Sequence, residues 1–443
     1  MKYLKKADLQ IYKLIKAEEK RQQETLMMIP SENMSSLAVQ EAVGSVLANK
    51  YAEGYPYKRY YQGQKNVDAI ESLVIERTKK AFGVPYANVQ PLSGSPANLA
   101  VYLGLLKPGD KLMGLALAHG GHLTHGAAVS ASAKYYQSVS YVLGKDGVMD
   151  YDLIEKLATK EKPKLIISGI TAYPLQLNWK RFREIADKAG AWLMADIAHL
   201  AGLVVAGVYP SPAPWVDVIT TTTHKTLRGP RGALIMVTLR GLKRDPELGK
   251  KINKAVFPGL QGGPHENAIA GIGVALEEAM TIRFKKYAAQ IIKNSEVLAE
   301  ELKKYGFKLV AGGSNTHLIL VDLRNKNIPG KIVAEALEEA GIVLNYNAVP
   351  WDTNPPFNPS GIRMGTPGIT SRGMKEKETR KIAVWMNEVV EELILVRKKM
   401  AINLEQEKEK ETRKKVIAKV KVIKKISQKV KKLCQKFPVK KEY

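Results

Sequence analysis

The chain has one cysteine, Cys434, in 443 residues, which excludes a disulfide framework and any cysteine-based metal cluster. It has no run of about eighteen apolar residues, so no membrane span is expected. Its first twenty-five residues are charged throughout and carry no apolar segment of the kind a secretory signal needs, so the expected setting is a reducing cytoplasm. Acidic residues are scarce: 43 Asp and Glu face 69 Lys and Arg, a net charge of +26. The excess is uneven, because residues 397–443 hold 18 basic and 5 acidic groups, a net of +13, which is half the total in a tenth of the length.

Such a tail attracts phosphate-bearing polymers, and a nucleic-acid-binding role is one reading of it. The plainer reading is a solvated amphipathic helix. Val416, Val420, Ile423, Ile426, Val430 and Leu433 recur at spacings of three and four, which makes one buried stripe under a lysine-covered face. No aromatic-rich stacking surface accompanies it.

With 45% hydrophobic and 25% charged residues the composition is globular, and the length implies two domains. Residues 1–45 read as helix broken by a turn at Ile29 to Asn33. Apolar strands are expected at 87–91, 111–117, 165–170, 192–196, 216–220 and 233–237. Helices fall between them at 67–82, 152–159 and 179–189. This alternation predicts a mainly parallel sheet covered by helices on both faces. A long helix over 277–305 leads to a smaller α/β unit: strands at 318–323 and 342–344, a helix at 331–340, and a loop at 345–360. The expected division is an N-terminal helical arm (1–50), a large domain (51–275), a small domain (276–396) and a lysine-rich helical extension packed on it (397–443).

Ligands bind where the strands of such a sheet end, and the polar motifs follow the strands. Asp196 ends one strand, and Lys225 follows the next after four threonines and His224. A lysine amine and a carboxylate in those places suit pyridoxal phosphate, which needs an amine to hold its aldehyde and an acid partner for its ring nitrogen. Ser93-Gly94-Ser95 opens a helix after a strand, either as a phosphate cradle or as a plain cap. Gly262-Gly263 is a second place for close anion approach, or a simple turn. His122, between Gly121 and Leu123, can lie flat on a ring. His122 and His125 also raise a metal, but the glycines disfavour a helix and no acidic ligand is expected near them, so no metal is expected.

Several longer motifs carry a resemblance. They are Tyr51-Ala52-Glu53-Gly54-Tyr55-Pro56 with Arg59-Tyr60-Tyr61, the stretch from Leu117 to Gly126, Asp196 to Leu203, Thr220 to Gly232, Val256 to Pro264, and Ser360 to Pro367. In this order, from about Met28 to Asn387, they resemble serine hydroxymethyltransferases. That resemblance implies the aspartate-aminotransferase-like fold of pyridoxal-phosphate enzymes. It also implies reversible conversion of serine and tetrahydrofolate to glycine and 5,10-methylenetetrahydrofolate, in a homodimer or tetramer.

Residue by residue, it implies that Lys225 forms the Schiff base, Asp196 meets the ring nitrogen, His199 the phenolic-oxygen side, and His122 the ring face. Ser93, Gly94, Ser95, Thr171, His224 and Gly262 would help hold the cofactor, with Tyr51 and Gly263 reaching in from a partner subunit. Arg363, Ser31 and Tyr61 would bind the amino acid, and Glu53 would move a proton near its hydroxyl, unless Glu53 is simply ion-paired with Lys58 or Arg59. Tyr60, Leu117, Gly121, Leu123 and Asn347 would bind the pterin side of folate, and Asn354, Pro355 and Pro356 its benzoyl part. Thr222 and Arg231 would support the lysine, a nearby cation lowering its pKa. Leu175 and Pro96 depart from the family pattern, away from the presumed reaction centre. A folate-independent aldolase of the threonine type is the alternative enzyme.

Overall fold

The computed structural model describes residues 1–403 and 406–439. The central sheet has seven strands: β1 (Tyr86–Asn88), β2 (Lys111–Leu115), β3 (Gln137–Tyr141), β4 (Leu165–Gly169), β5 (Trp192–Asp196), β6 (Val218–Thr222) and β7 (Ala233–Val237). Their spatial order is β1-β7-β6-β5-β4-β2-β3. All run parallel except β7, which is antiparallel to both neighbours.

Both faces of this sheet are covered, so its strands are apolar on both sides. Alternate residues go to different cores, as the two-residue period of a strand requires. Ile166, Leu193, Ile219, Leu234 and Met236 pack on one face, and Leu165, Ile167, Met194, Val218, Ala233 and Ile235 on the other. Strand β3 was not expected from sequence. It is the edge strand, and Gln137, Ser138 and Ser140 are exposed and polar, which removes the apolar signal.

The helices used below are α1 (Leu9–Glu24), α2 (Lys65–Phe82), α3 (Gly94–Leu105), α4 (Glu266–Ala279), α5 (Ile282–Lys304), α6 (Gly330–Glu339), α7 (Glu376–Lys399), α8 (Lys410–Ile417) and α9 (Val422–Lys436). The single helix expected over 277–305 is in fact the end of α4 and all of α5. The Thr281 side chain accepts from the Phe284 N–H and caps a new helix. At the N-terminus, α1 stops at Glu24. Leu26, Met27 and Met28 are consecutive and all buried, which no single helix face allows; Leu26–Met27 pair instead with Ile342–Val343.

A smaller antiparallel sheet holds β8 (Lys308–Leu309), β9 (Leu318–Asp322), β10 (Asn345–Asn347) and β11 (Gly361–Gly365), in the order β8-β9-β11-β10. The loop expected from residue 345 therefore begins as a strand. The core of this sheet includes Ile319, Val321, Ile362 and Met364, together with apolar residues of α6 and α7. The basic tail packs on the same core. Val416, Val420, Ile426, Val430 and Leu433 are buried and Ile423 partly so. The tail is two helices rather than one, because Glu392 of α7 accepts from the backbone N–H groups of Lys421 and Val422 and caps α9.

Arg372 ties the two ends of the chain together. Its buried guanidinium donates to the carbonyls of Gln22, Gln23 and Thr25 at the end of α1, and to those of Cys434 and Phe437 at the end of α9, at 2.6–3.1 Å. A cation at two helix C-termini satisfies carbonyls that lack intrahelical partners and complements both dipoles. Replacing it with an apolar chain strands those carbonyls, at about 3 kcal/mol. R372M should therefore speed amide hydrogen exchange in α1 and α9 by about two orders of magnitude, with exchange in β4–β6 unchanged.

Candidate active site

The parallel register aligns Gly169 with Asp196 and Asp196 with Thr220, so β4, β5 and β6 end together. A cavity of about 520 Å³ opens beside these ends. Its walls bring together Ser31, Ser93, Gly94, Ser95, Leu117, Gly121, His122, Leu123, Thr171, His199, Thr222, His224, Lys225, Arg231, Asn347 and Arg363, with Glu32 besides. Sequence positions more than 300 apart thus converge on one space.

Asp196 is 7% exposed. Its Oδ2 accepts from Asn98 Nδ2 at 2.9 Å and from His125 Nε2 at 3.1 Å, and its Oδ1 from the Ala198 N–H at 3.0 Å. Burial alone would raise its pKa. The surrounding hydrogen-bond donors, led by His125, override burial and hold the carboxyl far below the usual range. The Nδ1 of His125 accepts the His122 N–H, so the proton that His125 gives to Asp196 lies on Nε2. The Asn98 amide is oriented in turn by Thr220, whose hydroxyl donates to Asn98 Oδ1 at 2.7 Å.

The same amide donates to Thr124 Oγ1, which lies 2.7 Å from His122 Nδ1. Thr124 therefore gives its proton to His122 Nδ1 and leaves that ring neutral, protonated at Nε2. Burial, against the opposing pull of Asp196 and with help from the charge of Lys225, pushes the His122 pKa down to about 4. Gly121 is required beside it, since a Cβ there would lie 1.8 Å from the Leu115 carbonyl oxygen.

Lys225 follows β6, and Asn33 Nδ2 holds its backbone carbonyl at 2.9 Å. Burial is the main cause lowering its amine to about 8, with help from Arg363 and Arg231 against the opposing pull of Asp196. His224 carries a buried Nδ1 with no hydrogen-bond partner among the described residues. Ser93 N-caps α3, yet its hydroxyl makes no capping bond. These free hydroxyls, the first N–H groups of α3 and the orphaned His224 nitrogen form a cradle that fits a phosphate. Pro96 sits in the first turn of α3, where it removes no helical bond.

Arg363, on β11, donates from Nη1 to the Thr171 carbonyl at 2.6 Å and from Nε to Asn345 Oδ1 at 3.1 Å. Its Nη2 is left for a carboxylate, and burial lowers its pKa only to about 10, so it remains a cation. The Thr171 hydroxyl is engaged with the Gly121 carbonyl, so its carbonyl, rather than its hydroxyl, is the part that acts on the site.

Tyr51, Glu53, Tyr60, Tyr61, Gly262 and Gly263 are absent from the cavity walls and form a second cluster. Glu53 lies 3.4 Å from the Tyr51 hydroxyl and 3.3 Å from that of Tyr61, and a Cβ on Gly263 would touch the Tyr51 ring. Glu53 makes no ion pair with Arg59, which instead meets Asp68 at 2.9 Å and Glu71 at 2.6 Å. Arg59 Nη1 also donates to the carbonyls of Ala52 and Gly54 and so fixes the backbone on both sides of Glu53. Asn354, Pro355 and Pro356 also lie off the walls; Asn354 bonds to Ser360.

Sequence reasoning missed Asn98, Thr124, Thr220, Asn33 and His317 as site supports. Asn98 does leave a signal, as a polar residue inside the apolar helix α3. Among the described residues, no three His, Cys, Asp or Glu side chains group as a metal site.

An ionised aspartate at the end of a parallel strand and an activated lysine after the next, the lysine sharing a cavity with a phosphate cradle, suit a pyridoxal-phosphate enzyme of the aspartate-aminotransferase-like fold. Residues 4–386 match the family described as serine hydroxymethyltransferase. A serine hydroxymethyltransferase of Desulfotalea psychrophila is 52% identical over 99% of this chain and 96% of its own length. One from Acidothermus cellulolyticus is 56% identical over 86% and 88%, and one from a Wolbachia of Drosophila simulans 54% over 88% and 91%. The chain belongs to the serine hydroxymethyltransferase family. It is a one-carbon transferase that uses pyridoxal phosphate, with tetrahydrofolate as co-substrate, and interconverts serine and glycine.

Only an uncharged amine attacks an aldehyde. Capture of pyridoxal phosphate by the ligand-free protein should therefore quicken as pH rises through about 8, followed by visible absorbance. R363L removes a cation that lowers the Lys225 pKa and should move that midpoint to higher pH.

Proposed function

We propose that the cavity holds pyridoxal phosphate and the amino acid, and that a second copy of the chain completes it with the Glu53 cluster. The observation that carries this reading is Lys225 and Arg363 on one cavity, with Lys225 held as a readily deprotonated amine and the buried Asp196, behind the walls, close enough to act on its charge. Lys225 holds the cofactor aldehyde, Asp196 its ring nitrogen, and His122 its ring face. Ser93, Gly94, Ser95 and His224 take the phosphate. When bound, the cofactor supplies a protonated aromatic ring that draws negative charge from the amino acid's α-carbon.

Arg363 receives the substrate carboxylate on its free nitrogen, with Ser31 as a second donor. Glu53 exchanges a proton at the substrate hydroxyl. Tyr61 positions the amino acid, and Tyr60, Leu117, Gly121, Leu123 and Asn347 receive the pterin. Asn354, Pro355 and Pro356 lie toward the benzoyl part. Thr222 and Arg231 shape the surroundings of Lys225. Tyr51, Gly262 and Gly263 enter from the partner, which is why they are absent from the walls of their own chain's cavity. Two separate apolar cores support a division into a cofactor domain over 51–275 and a small domain over 276–396, bearing the helical extension 397–443. A single, buried cysteine suits a cytoplasmic setting.

K225A should abolish serine conversion in the presence of tetrahydrofolate. E53Q should retain the cofactor absorbance yet lose about 10²- to 10⁴-fold in folate-dependent turnover. Full-rate serine cleavage without folate would overturn the assignment of folate as acceptor.

If Glu53 acts across a subunit boundary, refolding K225A together with E53Q restores activity, because mixed dimers contain one site with both residues intact. Activity no higher than that of the separate variants would place Glu53 on its own chain's cavity.

A further inference from the structure

His199 and His317 are 2% and 0% exposed and come from different parts of the fold. His199 follows β5 of the large sheet, and His317 precedes β9 of the small one. Their rings approach with Nδ1 of His199 3.1 Å from Nε2 of His317. The ring centres are 5.4 Å apart and the planes differ by 28°. With two nitrogens so much closer than the centres, the rings meet edge to edge in a hydrogen bond rather than face to face.

One proton must lie between these nitrogens, since two lone pairs or two N–H groups would repel. Neither ring is charged: burial pushes the His317 pKa down to about 3, aided by Arg363 and Lys225, and that of His199 far below its ordinary value. Two arrangements remain, and the far nitrogens separate them. Nδ1 of His317 is buried and has no partner among the described residues. If His199 donated, His317 would have to carry its own proton on that stranded nitrogen. If His317 donates, the stranded atom is only a lone pair. Buried N–H groups without an acceptor are rarer than under-satisfied acceptors, so His317 donates. His199 is then protonated at Nε2. That nitrogen has no partner among the described residues, and His199 lines the cavity.

We propose that His317 is a positioning residue that holds His199 as its Nε2–H tautomer, so that His199 offers the cavity a hydrogen-bond donor for an anionic oxygen. The oxygen's identity as the cofactor's phenolate rests on the preceding reading of the cavity. The tautomer does not. Because the donor sits on the small sheet's side and the acceptor on the large sheet's side, correct seating of the two units is what gives His199 its proton position.

Seven histidines make the test practicable. Nitrogen NMR of ¹⁵N-histidine-labelled protein, assigned with H199N and H317Q, should show Nε2 protonated and Nδ1 bare in both rings. A proton on Nδ1 of either ring overturns the proposal. H317Q places an amide N–H near the lost Nε2–H and should keep the His199 pattern and most of the affinity for pyridoxal phosphate. H317L removes the donor, so His199 should populate both tautomers and affinity should fall by about tenfold. Equal weakening by both variants, or an unchanged His199 signal in H317L, would leave His317 a packing residue only. If H317L does not fold, the NMR pattern of the unaltered protein and of H317Q still decides. Failure of the unaltered protein to bind pyridoxal phosphate would sink the cofactor reading while leaving the tautomer result intact.

Discussion

A carboxylate buried at the end of a strand would ordinarily take up a proton, because a charge removed from water is costly. Asp196 stays ionised because Asn98, His125 and the Ala198 N–H converge on its two oxygens. None of these donors acts alone. The hydroxyl of Thr220 turns the Asn98 amide, that amide turns Thr124, and Thr124 sets the proton position on His122. The threonine run on β6 is therefore part of the electrostatics: one strand supplies a hydroxyl that aims the amide, and its next turn supplies the lysine.

The balance of charge in the cavity builds on that buried carboxylate. Lys225, Arg231 and Arg363 face one space, and Glu32 on its wall and Asp196 behind it compensate for only part of their charge. Such a space favours ligands that bring their own anions, which a phosphorylated cofactor and an amino-acid carboxylate do. The crowding also eases loss of the Lys225 proton. The acid that would serve the substrate hydroxyl is held elsewhere, on a loop whose carbonyls are fixed by Arg59, Gln64 and Gln90. Arg59 is in turn locked between Asp68 and Glu71. A nearby third carboxyl, Glu266, is pushed up to about 8 by burial and by Glu71. Glu53 is thus presented on a rigid mount beside exposed tyrosines.

The chain's ends show how the positive excess is accommodated. Apolar residues of α8 and α9 complete the small sheet's core, which leaves many tail lysines on the solvent side. Arg372 then joins α9 to α1 through carbonyls alone. The basic tail is structural on one face and solvated on the other, and the amphipathic spacing already carried that arrangement.

Much of the architecture could be read from residue order. Apolar runs of five, separated by amphipathic helices, are strong local signals, and β4, β5, β6 and β7 lie where those runs are. Long motifs likewise pointed to Lys225, His122 and Arg363, which the fold gathers around one space, and to Asp196, which it buries behind them. What local pattern could not supply was anything depending on a distant partner. Edge strand β3 is polar because nothing covers it. The break between α4 and α5 rests on one threonine, and the short Leu26–Met27 strand exists only because Ile342–Val343 lies beside it. The proton positions on His122, His125 and His199 were illegible for the same reason. An imidazole's tautomer is set by whichever group meets its other nitrogen, and those groups lie from two to more than a hundred residues away along the chain.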